Sequence, residues 1–320
     1  MKNQDKTDLT SGSVARHLIR LGTPMIWGIF AILSYQLADM YFISMLGTAE
    51  LAAFTFTFPV TMMVFYCVMS LGIATSSVLS RMYGRKDSGR IKRFAQHANF
   101  IAVLTGIILA IVGILITDPL FRLLGASEEK LIMIRDYMHL WFIGSVFLTL
   151  PIVNNAAMRA GGDSFTPAVL MTLVAVINVI LDPLLIFGLV GFPRLELQGA
   201  ALASVTANFC AMAAGLYILS ARKKILFHCA FQIKLLLTSF REMSRVAVPS
   251  AMSSVITQIP QAVIIALLAQ AGTEVVAAFG IAVRIEAFAL IVIMAAATAM
   301  GPVIGQNWSA GQYDRVNRTL

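Results

Sequence analysis

Charge is scarce in this chain. Asp, Glu, Lys and Arg make up 12% of its 320 residues, about half the usual quarter. That supply is too thin for a disordered polymer or an ordinary water-facing surface. Cysteine is scarcer still: Cys67, Cys210 and Cys229 stand far apart, which excludes a disulfide framework and a thiolate zinc site. The four histidines, His17, His97, His139 and His228, show no ligand spacing. With no nucleophile–base or metal-ligand constellation, an enzyme is not expected, and neither a cofactor nor a structural metal is implied. No G-x-x-x-x-G-K-[ST] loop occurs, so ATP-driven pumping is unsupported. Met1 to Thr10 is polar and lacks the apolar stretch and cleavage site of a secretory signal. The first apolar span is therefore expected to direct insertion itself.

What the chain has is apolar length. Apolar residues are 58% of the total and the mean hydropathy is +0.82. Uncharged runs cover 21–38, 51–80, 94–117, 137–158, 164–181, 197–221 and 246–273, each close to the roughly 20 residues a span needs. Asp39 and Asp182 interrupt the first and fifth spans. An eighth, from about 275 to 307, is interrupted by Arg284 and Glu286. Eight helices are expected, in an all-α polytopic protein of the plasma (bacterial inner) membrane.

Basic residues orient the spans. With the N-terminus inside, 19 Lys and Arg fall in inner loops and 4 outside, so a cytoplasmic N-terminus is expected. The net charge of +8 is thereby spread over five short loops, which argues against nucleic-acid binding.

The chain also repeats itself. Sliding it by 225 residues aligns Arg20–Arg93 with Arg245–Arg318 without a gap, giving 13 identities in 74 positions. Pro24 meets Pro249, Gln36 meets Gln261, Gly47-Thr48 meets Gly272-Thr273, and Arg90 and Arg93 meet Arg315 and Arg318. The offset spans six helices, an even number, so the copies share one orientation: a parallel repeat about the membrane normal. The expected organisation is a six-helix N-lobe (1–221), a basic amphipathic linker (222–244) and the first two helices of a C-lobe (245–320).

Several local sequences fall together in this frame: Pro24 and Asp39 in helix 1, Gly47-Thr-Ala-Glu-Leu-Ala-Ala opening helix 2, and Met158-Arg-Ala-Gly-Gly-Asp163 after helix 4. To these add Asn178-Val-Ile-Leu-Asp182-Pro183 in helix 5, Gly199-Ala-Ala-Leu-Ala-Ser opening helix 6, and Gly305-Gln-Asn-Trp-Ser-Ala-Gly311 followed by Arg315. With them the chain resembles the multidrug and toxic compound extrusion (MATE) family of cation-coupled exporters. The resemblance implies twelve helices in two lobes. This chain supplies eight, so it is expected to be truncated after helix 8.

Asp39 and Asp182 are lone acids within apolar helices. A carboxylate at mid-bilayer costs at least ~2.5 kcal/mol on insertion scales, and a cation or proton site explains two of them better than packing does. Asn178 and Asp182 are four apart and Gln36 and Asp39 three apart, so each pair shares a helix face. Pro183 has no N–H, which frees the Val179 carbonyl. Carboxylates, an amide and a carbonyl are hard oxygen donors. The resemblance implies a cation site of Asp39, Asn155, Asn178 and Asp182, with Asn154 as neighbour and a helix 6 hydroxyl, Ser204 or Thr206, completing it. Two close acids suit a proton, whereas the amides suit Na⁺, and the coupling ion stays open between them. Ile264 takes the place of Asp39 in the second copy. Some family members carry a helix 7 Glu in that region; this sequence lacks it, which concentrates the chemistry in the N-lobe. Gln258, Gln261, Arg284 and Glu286 are candidates for the substrate cleft.

The leading functional expectation is a secondary antiporter driven by Na⁺ or H⁺. The resemblance implies export of amphipathic or cationic organic compounds. The alternatives are a lipid-linked oligosaccharide flippase of the same superfamily, disfavoured by Arg284 being the one intramembrane base, and a non-transporting N-lobe fragment.

Overall fold

The computed structural model of the chain describes residues 8–226, 232–256 and 285–320, with isolated positions between 257 and 284. Six long helices come first: α1 (Val14–Ser44), α2 (Thr48–Gly84), α3 (Ser88–Leu123), α4 (Glu128–Ala160), α5 (Phe165–Phe187) and α6 (Glu196–Tyr217). The last of these runs on through a wide turn, Ile218–Arg222. Then follow α7 (Ile233–Ile256), α8 (Ile291–Ser309) and a short α9 (Tyr313–Thr319). Among the described residues, seven helices are long and apolar enough to cross a membrane: α1 to α6, the last extended to Arg222, and α8. The span expected over 246–273 lies mostly outside the described residues. Its described beginning is helical already from Ile233, within the 222–244 stretch.

The helices are longer than the uncharged runs. Those of α1 to α4 have 31 to 37 residues, or about 46–56 Å, against a hydrocarbon core of ~30 Å. Their charged ends stand clear of it. Asp87 closes the start of α3, where its carboxylate accepts from the Arg90 N–H at 3.0 Å, a conventional N-cap.

Within lipid no hydrophobic gain drives helix against helix, and close packing and polar contacts must serve. The α4 helix is the hub, packed against α2, α3 and α6. The hydroxyls of Ser145 and Thr149 donate across to the Gly106 and Ala102 carbonyls of α3, each at 3.0 Å. The outer side of α3 is apolar and exposed at Leu104, Ile107, Ile108, Ile111, Val112 and Leu115, a surface suited to lipid.

The α7–α9 group joins the six-helix bundle at one end, where the basic loops gather. The α8 helix packs on α1 and α2, and α7 on α2 and α3. Helices α2 and α8 cross at positions that the repeat relates: a Cβ on Gly305 would collide with the Ser80 hydroxyl, and one on Gly84 with the Gln306 carbonyl and the Ser309 hydroxyl. In each pair one copy has glycine and the other serine, so the backbones approach at both.

Polar links then tie the two groups at that end. Leu9, fully buried, donates its N–H to Gln306 Oε1 at 3.0 Å. Its carbonyl accepts from Asn307 Nδ2 and from Arg315, each at 3.1 Å. Arg315 also donates to the Gly12 carbonyl at 2.6 Å, and Gln306 Nε2 to the Ala160 carbonyl at 2.8 Å. In the first copy Arg90, the repeat mate of Arg315, pairs with Glu242 of α7 at 2.5 Å. Each copy's arginine therefore reaches the segment that opens the other copy. The Gly305–Gly311 motif is thus a clamp on the N-terminal segment.

Asp163 secures the α4–α5 turn. Its carboxylate accepts from the Thr166 N–H at 3.0 Å and the Thr166 hydroxyl at 2.7 Å, and pairs with Lys223 at 2.5 Å. Burial acts to raise its pKa, but Lys223 and Thr166 outweigh this and hold it below the ordinary 3.8. A depressed carboxyl contributes stability that is full above its unfolded pKa and fades as pH falls through the folded value.

Two outcomes follow from this packing. Gly305→Ser should cost about 1–3 kcal/mol by overpacking, and adding Ser80→Gly should recover much of the loss, read as a double-mutant cycle in thermal unfolding. Asp163→Asn should cost about 1–3 kcal/mol at pH 7, with the gap to wild type closing as the melt is repeated below pH 4.

Candidate functional site

Helix α5 is apolar almost throughout, and its one acid, Asp182, is completely buried. One turn earlier Asn178, also buried, faces it. With the amide nitrogen turned to the carboxylate, Asn178 donates to both Asp182 oxygens, at 3.2 and 2.8 Å, and its own oxygen accepts from the Ser204 hydroxyl of α6 at 3.0 Å. The chain Ser204–Asn178–Asp182 therefore joins α6 to α5. Pro183 sits within α5 and leaves the Val179 carbonyl, one turn back, without its helical donor.

Helix α1 packs on α5 and brings Asp39 within electrostatic reach of Asp182. The Asp39 Oδ1 atom is buried with no hydrogen-bond partner among the described residues. No cation balances either acid there: the six ion pairs of the described residues involve neither. Two desolvated carboxylates in one field cannot both stay ionised without a bound cation or proton. Two acids placed so suit a shared proton or a cation.

Two residues that sequence reasoning missed belong to this group. Tyr35 and Tyr137 both lie within the field of Asp39 and of Asp182. Tyr35 is one turn before Asp39, an i, i+4 signal that was present in the sequence. Tyr137 comes from α4, its ring edge-on to Phe54 at 5.7 Å; nothing local in the sequence relates it to α1 or α5.

The other expected residues spread out. Asn154 is completely buried, and among the described residues both its amide atoms lack partners, as does Asn155 Oδ1. Asn154 of α4 lies against Gly215 of α6, whereas Gly144, earlier in α4, lies against Val205 of α6, beside Ser204. Ten residues of helix separate the two levels, about 15 Å, so the asparagine pair forms a second polar layer nearer the basic end. No hydrogen bond joins Asn155 to Asp39, Asn178 or Asp182 among the described residues. The Thr206 hydroxyl donates back to the Leu202 carbonyl at 2.8 Å, and of the two helix 6 hydroxyls it is Ser204 that reaches the group. Gln36 is exposed, and so is Glu286. Gln258, Gln261 and Arg284 lie outside the described residues.

Comparison with known proteins places these residues in a family. The chain matches the family described as MatE over residues 24–184 and 249–320. The two matched segments begin 225 residues apart, the offset of the internal repeat. A protein named FAD transporter from Shewanella oneidensis is 39% identical over 317 residues, which cover 99% of this chain and 70% of that protein. The multidrug export protein MepA of Staphylococcus aureus is 25% identical, with 98% of this chain and 68% of that protein covered. Among solved structures, a variant of the Vibrio cholerae MATE transporter VcmN superposes with a TM-score of 0.88 at 29% identity, covering 95% of this chain and 68% of that one. These shares do not establish the expected truncation after helix 8 or a total of twelve helices. Members of the family are transporters, which agrees with the expectation of a non-enzyme. With most of its length matched in two segments, the chain belongs to the MATE family of multi-pass membrane transporters.

Proposed function

We propose that this chain carries the cation site of a secondary exporter, in which a coupling ion, H⁺ or Na⁺, exchanges with a small organic substrate. The observation that carries the reading is the completely buried Asp182 with the half-buried Asp39 in its field, neither with a cation partner among the described residues, and with Asn178 and Ser204 bonded behind Asp182. Binding of positive charge relieves the desolvated carboxylates. It thereby favours whichever arrangement of α1 against α5 keeps them together, which is the differential affinity that coupling requires. The second polar layer at Asn154 and Asn155 extends the route along which an ion is relayed. The basic end, with the N-terminus, faces the cytoplasm of the plasma membrane on this reading, following the positive-inside rule.

Amphipathic or cationic compounds are the first substrate class, in line with the multidrug relatives. A second reading, an anionic dinucleotide, is favoured by the 39% identity to the protein named FAD transporter. Efflux of a cationic dye and of FAD from the same proteoliposomes separates the two.

The site itself is tested by substitution. Asp39→Asn and Asp182→Asn should each abolish cation-driven efflux while membrane insertion, followed by a reporter fusion, stays normal; wild-type efflux from either overturns the shared site. Asn178→Ala strips Asp182 of its donors, and a loss of about 1–3 kcal/mol in thermal unfolding is expected. It should also weaken the pH dependence of the melt if H⁺ couples, or the Na⁺ dependence if Na⁺ does.

A further inference from the structure

At the basic end, between the six-helix bundle and α7, lies a hollow of about 360 Å³. Arg81, Arg85, Asp87 and Arg90 line it from one side, Glu242 and Arg245 from the other. Four guanidinium groups face two carboxylates there. The Arg90–Glu242 pair uses one of each, and the Asp87 carboxylate caps α3. Arg81 spends its Nε on the Ser77 carbonyl at 3.1 Å, which leaves its two terminal nitrogens to the hollow. Arg85 and Arg245 are exposed, and their guanidinium groups make no hydrogen bond or ion pair among the described residues. Three cations thus confront Asp87, with a surplus of two positive charges in a concave site.

Guanidinium forks converging on one space match a phosphate in geometry and charge, since each can donate two parallel N–H bonds to its oxygens. The volume exceeds that of a bare phosphate and leaves room for an ester substituent. The hollow also sits where the helices leave the apolar zone, the level at which basic pockets between membrane helices meet lipid head groups.

We propose that this hollow binds the phosphate of an anionic ester, either a phospholipid head group or a soluble phosphate compound, and that the bound anion bridges the six-helix bundle to α7. Arg85 and Arg245, one from each side, are its principal ligands, with Arg81 beside them. Because the walls come from both sides, the anion binds only while the two stay closed at this end, and it stabilises that arrangement by mass action. The proposal is independent of the cation site: none of its residues touches Asp39 or Asp182.

The test uses the purified chain in a neutral detergent. Its melting temperature is followed against dihexanoyl phosphatidylglycerol, inorganic phosphate, and dihexanoyl phosphatidylcholine as the zwitterionic control. Stabilisation by phosphatidylglycerol at lower concentration than by phosphatidylcholine is expected. If inorganic phosphate does nothing, the source is the lipid; if inorganic phosphate also stabilises, the source includes soluble esters. The double variant Arg85→Gln with Arg245→Gln should raise the half-saturating concentration about tenfold or more, equivalent to at least ~1.4 kcal/mol. Asp87→Asn keeps an oxygen for the α3 cap but removes the opposing charge, and should tighten binding. A wild-type protein stabilised by neither anion overturns the proposal, and so does a folded double variant that responds as wild type does. Should the double variant fail to fold, Asp87→Asn decides: binding no tighter than wild type refutes the site.

Discussion

Inside a bilayer a polar group without a partner in the protein is costly, and Asp182, a carboxylate, is where that cost bears hardest. A completely buried carboxylate has Asn178 for a donor, Asn178 has Ser204 behind it, and no described residue forms an ion pair with it. Much else follows from keeping this chain of bonds dry and aligned. The α5–α6 pairing positions Ser204. The α1–α5 pairing brings Asp39 into the same field. The α4 hub, tied to α3 through Ser145 and Thr149, sets Tyr137 at the edge of the group. Helix association here depends on small residues at crossings and on a few hydroxyls, so the site and the packing draw on the same scarce polar material.

The repeat makes the α2–α8 crossing intelligible. Two copies of one ancestral element meet at their own equivalent positions, and two large residues could not occupy both sides of such a contact. Glycine stands opposite serine at one pair and serine opposite glycine at the other, so the sum of the two side chains is held constant while either copy alone looks irregular. The motif that follows, from Gly305 to Gly311, has its meaning in the N-terminal segment nearly three hundred residues away.

Much of this was legible in the sequence. Apolar runs gave the spans, because lipid imposes one continuous requirement on about twenty residues. The period of 3.6 gave the Asn178–Asp182 face, and the rarity of acids singled out Asp39 and Asp182. What escaped was whatever depends on relative height and tilt of different helices. The resemblance grouped Asn155 with Asn178, and the height of its position along α4 sets it in a separate layer. Thr206 and Ser204 were equivalent by spacing, and the direction of one hydroxyl back into its own helix separates them. Tyr137 had no local signal at all. The clamp on Leu9 was invisible because the half of it in the N-terminal segment is backbone, which every residue possesses.

Duplicated residues need not keep duplicated bonds. Arg90 and Arg315 hold equivalent places, but one grips a carboxylate at a half-exposed surface and the other two backbone carbonyls and an amide. Dissolved salt weakens an exposed ion pair within a Debye length of about 8 Å at physiological ionic strength, whereas bonds from a guanidinium to uncharged oxygens are far less affected. The two fastenings at this end thus answer to different solvents. Rising ionic strength weakens the Arg90–Glu242 pair and leaves the α3–α7 contact to its buried His97–Ser239 bond, while the N-terminal strap on α8 and α9 holds, so a molecule that looks twofold in its chain answers to salt on one side only.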